Sequence, residues 1–401
     1  MLLRSTLLDI LKDQRPPTVT DREVDRELTH AVSLRSRYAL VLTGVRRAGK
    51  SVLQAQLMRE RKDAFYCNLE DTRLYGLSPE DFPTLLSLVD ELAPRAAPVF
   101  LDEVQEVPEC QRLVRSLLDR NRSVCVTGSN ASLPGRELGA KLTGRHLSFE
   151  VFPFSYTEYL AYTRQRPGAP SLTSYLEDGG FPAFLRERDS QILRELLRDI
   201  VQRDITARHG LRETRHVMNL ALFLLANTGQ PLSMQGLTKG LRIPSVAQTG
   251  RYLEFLQDSY LLFAVPKFNP SFRKRVVTPN KYYAIDNGMR RVNSPQTTLD
   301  TGHRLENAVF LALRRLGQAV SYSGEKHSWE CDFVTPSEAI QVCAELTPHN
   351  RDREIQGSLR ASALPGKRRP LIITLDQRDR ITVEGKAIEV IPAWEWLAGP
   401  K

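Results

Sequence analysis

Two glycines, a lysine and a serine stand at a fixed spacing near the start of the chain, in the segment Gly44-Val45-Arg46-Arg47-Ala48-Gly49-Lys50-Ser51. This spacing fits the pattern G-x-x-x-x-G-K-[ST], in which backbone N–H groups of a glycine-rich turn point at phosphate oxygens at the positive end of a helix dipole. We expect Lys50 to reach the β- and γ-phosphates and the Ser51 hydroxyl to hold Mg²⁺. Together with Val52, the segment is predicted to bind a nucleoside triphosphate.

Two acids follow an apolar run further along the chain. Asp102 and Glu103 come directly after Pro98–Leu101, which predicts carboxylates at the C-terminal edge of a buried parallel strand, where ligands of such sheets collect. Asp102 is expected to hold Mg²⁺ through water beside Ser51. Glu103 is expected to polarise the attacking water, and thus to act as the catalytic base.

A third apolar run, 124–128, ends in the small polar residues Ser129 and Asn130. Either side chain is predicted to touch the γ-phosphate or the attacking water. The alternative is that Asn130 merely caps a loop or turn.

Regular elements must position these groups. The apolar run 38–43 predicts a strand that feeds the glycine-rich turn, and 52–58 predicts the helix that follows it. Three strands that each end in polar residues predict an α/β fold with a parallel sheet.

This pattern resembles the AAA+ ATPases, and more narrowly a prokaryotic family that joins an AAA+ module to a C-terminal half of long-uncharacterised function. The resemblance rests on 44–51, Asp102-Glu103, Gly128-Ser129-Asn130 and Gly144-Arg145. It implies ATP as the nucleotide and a ring of subunits, expected to be hexameric. An arginine of a neighbouring subunit would then complete each site: Arg145 is the first choice, with Arg136 and Arg203 behind it.

Later signatures extend the resemblance over most of the chain: Gly179-Gly180-Phe181-Pro182, Arg203-Asp204-Ile205, and apolar residues around Asp286. The expected organisation is an AAA+ P-loop core with a parallel sheet (1–151), a helical lid (152–228), a winged helix (229–297), and an α/β restriction-endonuclease-like domain (298–401).

The composition favours a globular protein of two to four domains. Hydrophobic residues make up 41% of the 401, and no apolar run is long enough for a transmembrane helix, so we expect a cytoplasmic protein without membrane contact. The 56 Lys and Arg residues exceed the 47 Asp and Glu residues, giving a net charge of +9. A basic balance raises the expectation of a nucleic-acid partner without deciding it.

The segment from Pro231 to Ile285 predicts a winged helix. A helix-turn-helix would present Gln248, Thr249 and Arg251 on an exposed face, and Arg273, Lys274 and Arg275 would form a basic wing tip. These six residues are the predicted contacts to duplex or branched DNA. The alternative is that the winged helix serves only interdomain or subunit contacts.

The C-terminal segment contains Glu306, Asp332 and Gln341 in an order that matches the active-site pattern of a nuclease class. Glu306 is predicted to open a helix, Asp332 to lie on one strand and Gln341 on the next. In restriction-endonuclease-like enzymes such acids bind Mg²⁺, and a lysine two residues after the third position stabilises charge on the phosphate. Here Cys343 occupies that position, and nothing in the sequence supports a displaced lysine such as Lys326. The domain is therefore predicted to be a degenerate nuclease that does not cleave.

Two classes of function follow from these features. The first is an ATP-hydrolysing motor or remodeller of duplex or branched DNA, possessing helicase or branch-migration activity. The second is a nucleotide-dependent switch or defence sensor that acts on a protein partner. An ATP-coupled nuclease is the third and weakest alternative.

Overall fold

A computed structural model describes most of the chain as two compact units, Met1–Phe152 and Pro153–Lys401. The residues described are 2–18, 24–35, 37–59, 61, 63–128, 142, 144–271, 278–294, 301–325, 328–383 and 385–399. The second unit spans the segments predicted as lid, winged helix and C-terminal domain, whose separate boundaries stay predictions.

The first unit is built on a five-stranded sheet whose paired strands all run parallel, in the order β2-β3-β4-β1-β5. The three central strands, β3, β4 and β1, are buried along their whole length. Parallel strands covered on both faces are expected to be continuous apolar runs, as these are. Their bounds are β1 Ala39–Thr43, β2 Phe65–Asn68, β3 Val99–Asp102, β4 Val124–Gly128 and β5 His146–Glu150. The sheet is the α/β arrangement that the sequence predicted.

The helices described beside this sheet are α1 Arg4–Asp13, α2 Leu28–Ala31, α3 Lys50–Met58, α4 Phe82–Leu92 and α5 Cys110–Asp119. Short 3₁₀ turns cover Thr72–Leu74, Pro79–Asp81 and Val104–Glu106. In α5 the buried side chains recur every three to four residues, from Cys110 to Leu118, which gives the helix one apolar face. That face joins a single core with Leu85, Leu101 and Val126.

The second unit begins with helices α6 Tyr156–Thr163, α7 Ala169–Asp178, α8 Pro182–Glu187, α9 Gln191–Asp199 and α10 Thr214–Ala226. Helix α9 runs directly into a π-helix, Ile200–Ala207, a form that often marks functional positions. The pair Gly179-Gly180 lies between α7 and α8, where the sequence predicted a tight turn.

A three-stranded sheet of order β6-β8-β7 follows, with β6 Pro231–Leu232, β7 Leu262–Val265 and β8 Asn280–Ala284. Strand β8 lies in the middle and pairs antiparallel with both neighbours. Helices α11 Met234–Gly240, α12 Val246–Asp258 and α13 Asn287–Asn293 belong to the same region. Ser245 caps α12, as predicted, since its side chain accepts from the backbone N–H of Gln248 at 3.1 Å.

The chain ends in a six-stranded mixed sheet of order β13-β14-β12-β11-β10-β9. The pairs β11–β12 and β12–β14 are parallel, and the remaining pairs are antiparallel. The strands are β9 Ser321–Glu325, β10 Trp329–Val334, β11 Glu338–Val342, β12 Arg369–Thr374, β13 Asp379–Val383 and β14 Lys386–Pro392; the helices are α14 Thr301–Arg315, α15 Arg351–Ser362 and α16 Ala393–Ala398.

Helix α14 begins at Thr301, so Glu306 lies inside it. The prediction that Glu306 opens the helix was wrong, because the polar residues before it continue the helical turn. Within the described part of the chain, no helix combines the length and the apolar character needed to cross a membrane.

Candidate functional site

The glycine-rich turn joins β1 to α3, as the motif requires. Gly49 is the N-cap of α3 with φ of 96°, and Gly44 has φ of 147°. A Cβ on Gly44 would lie 2.1 Å from the carbonyl oxygen of Val151, so only glycine fits this close approach of the residue after β1 to the residue after β5. The turn therefore places the start of a helix at the carboxyl edge of the sheet, where an anion is favoured.

Lys50 is buried and folds over this turn. Its Nζ donates to the carbonyl oxygens of Gly44 and Val45, at 3.1 Å each. The ammonium thus already lies at the loop into which phosphates would be received. Contact with the β- and γ-phosphates, the role predicted for Lys50, stays a prediction.

Arg26 supports the loop from behind, a role the sequence reasoning missed. Its guanidinium is buried and donates to the carbonyl oxygens of Ala48, at 2.8 Å, and Phe152, at 2.6 Å. Its backbone N–H donates to Gln56 on α3 at 3.1 Å. No motif marks Arg26, because its partners are backbone carbonyls that any sequence provides.

Asp102 ends β3, and its carboxylate lies beside the Ser51 side chain, the neighbourhood that the sequence predicted. Thr127 on β4 donates its hydroxyl to Asp102 and accepts the backbone N–H of Glu103 at 2.8 Å. Tyr66 donates to the other carboxylate oxygen of Asp102 at 3.2 Å. Strand β4 lies between β3, which carries the acids, and β1, which leads into the phosphate loop. Its residue Thr127 therefore fixes both Asp102 and the backbone of Glu103.

Burial raises the pKa of Asp102, and the nearby charge of Glu103 raises it further, against the hydrogen bonds from Thr127, Ser51 and Tyr66. A buried carboxylate whose charge is disfavoured in this way gains from a bound cation. Carboxylate and hydroxyl oxygens are also the ligands that Mg²⁺ prefers. The pair Ser51 and Asp102 therefore fits the Mg²⁺ of a nucleotide complex.

Glu103 adopts a left-handed backbone conformation, with φ of 51° and ψ of 53°. Its carboxylate accepts from Gln105, and its charge helps to raise the pKa of Glu70, for which burial is the larger cause. Such strain in a non-glycine residue costs on the order of 1–3 kcal/mol and is concentrated at functional sites. Glu103 thus lies beside Asp102 in an unusual conformation, consistent with its predicted role as base.

The predicted arginines have different outcomes. Arg145 precedes β5, at the amino edge of the sheet, whereas the phosphate loop follows β1 at the carboxyl edge. It forms an ion pair with Asp119 at 2.5 Å. Action on the site of a neighbouring subunit stays a prediction. Arg203 lies on the π-helix and is largely exposed. Ser129, Asn130 and Arg136 lie outside the described residues.

The prediction that α12 exposes Gln248, Thr249 and Arg251 to DNA is partly wrong. Thr249 is fully buried, and its hydroxyl bonds to that of Thr238 on α11 at 2.8 Å. It lies one helical turn before Tyr252 and Leu253, which are also buried, so helical periodicity places it on the packed face. Gln248 is half-buried and bonds to the Tyr252 hydroxyl.

Arg251 is exposed, as predicted, and two cations that the sequence reasoning overlooked lie near it in the chain. Lys239 lies in the last turn of α11, and Arg242 lies in the turn before α12; both are exposed. None of the three cations forms an ion pair with another described residue. The wing tip Arg273, Lys274 and Arg275 is not among the residues that the structure describes.

The nuclease-like acids do meet, and a lysine that the sequence reasoning missed lies between them. Lys281 on β8 places its Nζ 3.2 Å from Glu306 Oε1, 3.1 Å from Asp332 Oδ1 and 2.6 Å from Glu330 Oε1. The inference that this centre has no lysine was therefore wrong. Lys281 is 25 residues from Glu306 and 51 from Asp332, so no local pattern connects them. Lys326 lies outside the described residues.

Further hydrogen bonds fix each acid. Tyr283 donates to Glu306 at 2.6 Å, and the backbone N–H of Val342 donates to Asp332 at 3.0 Å. Burial raises the pKa of Glu306 to about 7, even though Lys281 opposes this rise. Burial alone would lower the pKa of Lys281, but Glu306, Asp332 and Glu330 together raise it well above its usual range. The lysine therefore stays charged.

Gln341, the third nuclease-like residue, does not contact the lysine. Its side-chain oxygen accepts from the backbone N–H of Asp332 at 3.3 Å, and its amide donates to the buried Glu354 at 2.6 Å. Cys343, in the position of the missing lysine, is buried.

Two of the later signatures, the glycine pair 179–180 and Asp286, contact each other. The Asp286 carboxylate accepts from the backbone N–H groups of Gly180, at 2.6 Å, and Met289, at 2.8 Å. Asp286 thus caps α13 and fixes the turn between α7 and α8. This contact gives the signatures a structural role within the second unit.

Residues 36–160 match the AAA domain family (AAA_14), and residues 169–298 match a domain of unknown function (DUF8612). The uncharacterized protein MJ1544 of Methanocaldococcus jannaschii is 29% identical to this chain, over 99% of the chain and 95% of that protein. An uncharacterized protein of Haemophilus influenzae is 28% identical, over 89% of the chain and 93% of that protein.

Two solved structures are similar at low scores. The Walker-type ATPase PABY2304 of Pyrococcus abyssi has a TM-score of 0.44 and 17% identity, over 71% of this chain and 99% of that one. Cdc6p from Pyrobaculum aerophilum has a TM-score of 0.25 and 13% identity, over 61% of this chain and 83% of that one. The family match and the geometry of 44–51 with Asp102 agree: the first unit contains an AAA domain with a P-loop ATPase fold.

Proposed function

We propose that this protein hydrolyses ATP at its AAA domain and uses the reaction to remodel duplex or branched DNA as a ring oligomer. The observation that carries the ATPase is the adjacency of Ser51 and Asp102 below a loop that already holds a buried lysine. The nucleotide's phosphates would lie on the backbone N–H groups at the start of α3.

The residues of the site divide the work. Lys50 would exchange its bonds to loop carbonyls for bonds to the β- and γ-phosphates, which stabilises the charge that develops on them. Glu103 would accept the proton of the attacking water. Thr127 keeps the backbone of Glu103 and the carboxylate of Asp102 in register.

Mg²⁺, when bound by Ser51 and by Asp102 through water, would neutralise phosphate charge. Asn130 is proposed to orient the water or contact the γ-phosphate, and Arg145 of a neighbouring subunit to complete the site. These two assignments rest on the resemblance to AAA+ ATPases.

The DNA part of the proposal is supported by charge. The chain carries a net charge of +9, and Lys239, Arg242 and Arg251 are exposed around one helix-turn-helix. Exposed cations of this kind contact phosphates and give affinity without sequence preference. Arg273, Lys274 and Arg275 are proposed to extend this surface.

A second candidate function is a nucleotide-dependent switch that acts on a protein partner. It is favoured by the burial of Thr249 and the bond between Gln248 and Tyr252, which leave the first turns of α12 with few groups that could read bases. Under this alternative the helix-turn-helix serves for contacts between proteins.

One experiment separates the two functions. ATP hydrolysis is measured alone and with duplex, forked and four-way DNA, and DNA products are examined on gels. We expect DNA to stimulate hydrolysis and branched DNA to be remodelled. The Glu103→Gln variant is the control, expected to bind ATP but not to turn over. Hydrolysis that no DNA changes would favour the protein switch, and wild-type turnover in Glu103→Gln would refute the assignment of the base.

A charge-reversal variant tests the DNA surface. Changing Lys239, Arg242 and Arg251 to glutamate should lower the slope of log affinity against log salt by about 0.9 for each phosphate that the protein no longer neutralises. The matched control reverses three exposed cations elsewhere in the same unit: Lys367, Arg380 and Lys386. Equal effects of the two triple variants would show that only net charge matters and that the helix-turn-helix is not the DNA-binding surface.

A further inference from the structure

Three carboxylates of the second unit surround the ammonium group of Lys281. Oxygens of Glu306, Glu330 and Asp332 converge on Nζ at 2.6–3.2 Å. Of the three N–H donors of this ammonium, two form hydrogen bonds with Glu306 and Asp332, and the third carboxylate, Glu330, forms an ion pair with it. A divalent ion bound by the same oxygens at about 2.0–2.6 Å would need the position that Nζ fills.

The lysine is not placed to leave this position. Its side chain is 2% exposed, and it projects from β8, which is paired on both edges by β6 and β7. Tyr283, two residues along the same strand, bonds to Glu306 from the same side. Side chains two residues apart on a strand share one face, so the sheet carries both groups into the cluster together.

We propose that Lys281 is an internal replacement for the divalent cation: it closes a nuclease-type centre to metal and joins the three-stranded sheet to α14 and β10. The centre therefore does not cleave DNA. This inference concerns the second unit alone and does not depend on nucleotide hydrolysis.

The other residues of the centre are consistent with this function. Gln341 occupies the position of a further acid in the nuclease pattern, and its side-chain amide donates a hydrogen bond to Glu354. The side chains of Glu306 and Asp332 are 9% and 11% exposed, which leaves little access for a phosphodiester. Glu330, at 49%, is the one partly open member of the three.

The proposal predicts that removing the lysine opens a metal site. The probe is Tb³⁺, added without nucleotide, because tyrosine close to bound Tb³⁺ sensitises its luminescence. Tyr283 contacts Glu306, and the ring of Tyr322 lies 5.6 Å from Nζ. We expect saturable emission from the Lys281→Ala variant that the wild type lacks, and we expect Mn²⁺ to compete with it.

The matched control is the double variant Lys281→Ala with Asp332→Asn, which should lose the gained emission because one ligand is removed. Signal from other Tb³⁺ sites would be equal in all variants. A folded Lys281→Ala protein without new emission would contradict the proposal.

Two further outcomes keep the test decisive. If Lys281→Ala does not fold alone, we expect it to fold when Mn²⁺ is added, because the metal then supplies the missing charge; failure to do so counts against the proposal. If the wild type itself shows emission, or Mn²⁺-dependent DNA cutting, that Asp332→Asn removes, then Lys281 is not a replacement for the cation and the centre is a metal site.

Discussion

Two buried lysines, one in each unit, show how partners decide what a cation can do. Lys50 donates to the carbonyl oxygens of Gly44 and Val45, which are neutral. Lys281 donates hydrogen bonds to Glu306 and Asp332 and forms an ion pair with Glu330, so all three of its partners are carboxylates. Both side chains are almost fully buried, at 4% and 2%.

The two lysines differ in whether a ligand could replace their present hydrogen-bond partners. An ammonium forms a weaker hydrogen bond with a neutral carbonyl than with a charged phosphate. An incoming triphosphate can therefore replace the carbonyl partners of Lys50. No such gain is open to Lys281, since its partners are already anions. The first lysine is suited to a ligand, and the second to holding the protein together.

The largest expected effect is on the first lysine. Lys50→Ala should abolish ATP hydrolysis, with a loss of at least about 100-fold, because the phosphate charge loses its cation. Nucleotide binding and hydrolysis are measured together, with the exposed Lys12→Ala as control in the same unit. Hydrolysis at the wild-type rate in Lys50→Ala would remove the basis of the comparison.

The next effect is on stability. Lys281→Met should destabilise the second unit by about 3–5 kcal/mol, because breaking a buried ion pair leaves charge uncompensated. All three tryptophans, Trp329, Trp394 and Trp396, lie in this unit, so tryptophan fluorescence during denaturation reports on it. An unchanged midpoint would mean that the carboxylates are neutral or solvated without the lysine.

A smaller effect depends on pH. The raised pKa of Glu306, about 7 against an ordinary 4.5, means that the folded protein binds this proton more tightly than the unfolded chain. The stability that results is complete below pH 4.5 and is lost as pH rises through 7. The charges facing this carboxyl are those of Lys281, Asp332 and His303, and the Tyr283 hydroxyl also faces it. Glu306→Gln should therefore flatten stability against pH.

The measurement is denaturant unfolding at several pH values between about 4.5 and 7.5, a range that brackets the ordinary and the raised pKa of this carboxyl. Asp286, whose pKa burial raises to about 6, adds a slope of the same sign to both proteins and cancels in the difference. Parallel curves for wild type and Glu306→Gln would show that Glu306 does not titrate in this range.

The smallest effect is in the first unit. Thr127→Val removes the hydroxyl that joins Asp102 to the backbone of Glu103. We expect ATP binding to persist and turnover to fall about tenfold, in line with about 1 kcal/mol per hydrogen bond. Thr127→Ser, which keeps the hydroxyl, should restore most of the rate. Equal losses in both variants would indicate packing as the cause.

Local sequence was sufficient for the phosphate loop, because 44–51 and the strand and helix around it are contiguous. It also placed Asp102 beside Ser51, since carboxyl ends of parallel strands share one edge. It failed for Lys281, whose partners come from distant elements that only tertiary packing brings together.

Thr249 is an error of a different kind. A short polar side chain suggested an exposed helix face, but its hydroxyl is satisfied by Thr238 and by the carbonyl of Ser245. Side-chain polarity was therefore a poorer guide than helical periodicity. Arg26 carried no signal at all, because it binds backbone carbonyls.

The three ion pairs of Lys281 with Glu306, Glu330 and Asp332 limit where the chain can be divided into fragments that fold. A fragment that stops before residue 301 would keep β8 with its lysine and Tyr283 but lose Glu306, Glu330 and Asp332. It would have to expose an ammonium built for the interior, and the complementary fragment would repel itself through three neighbouring carboxylates. Each piece should fold poorly alone, and the two should recombine when mixed.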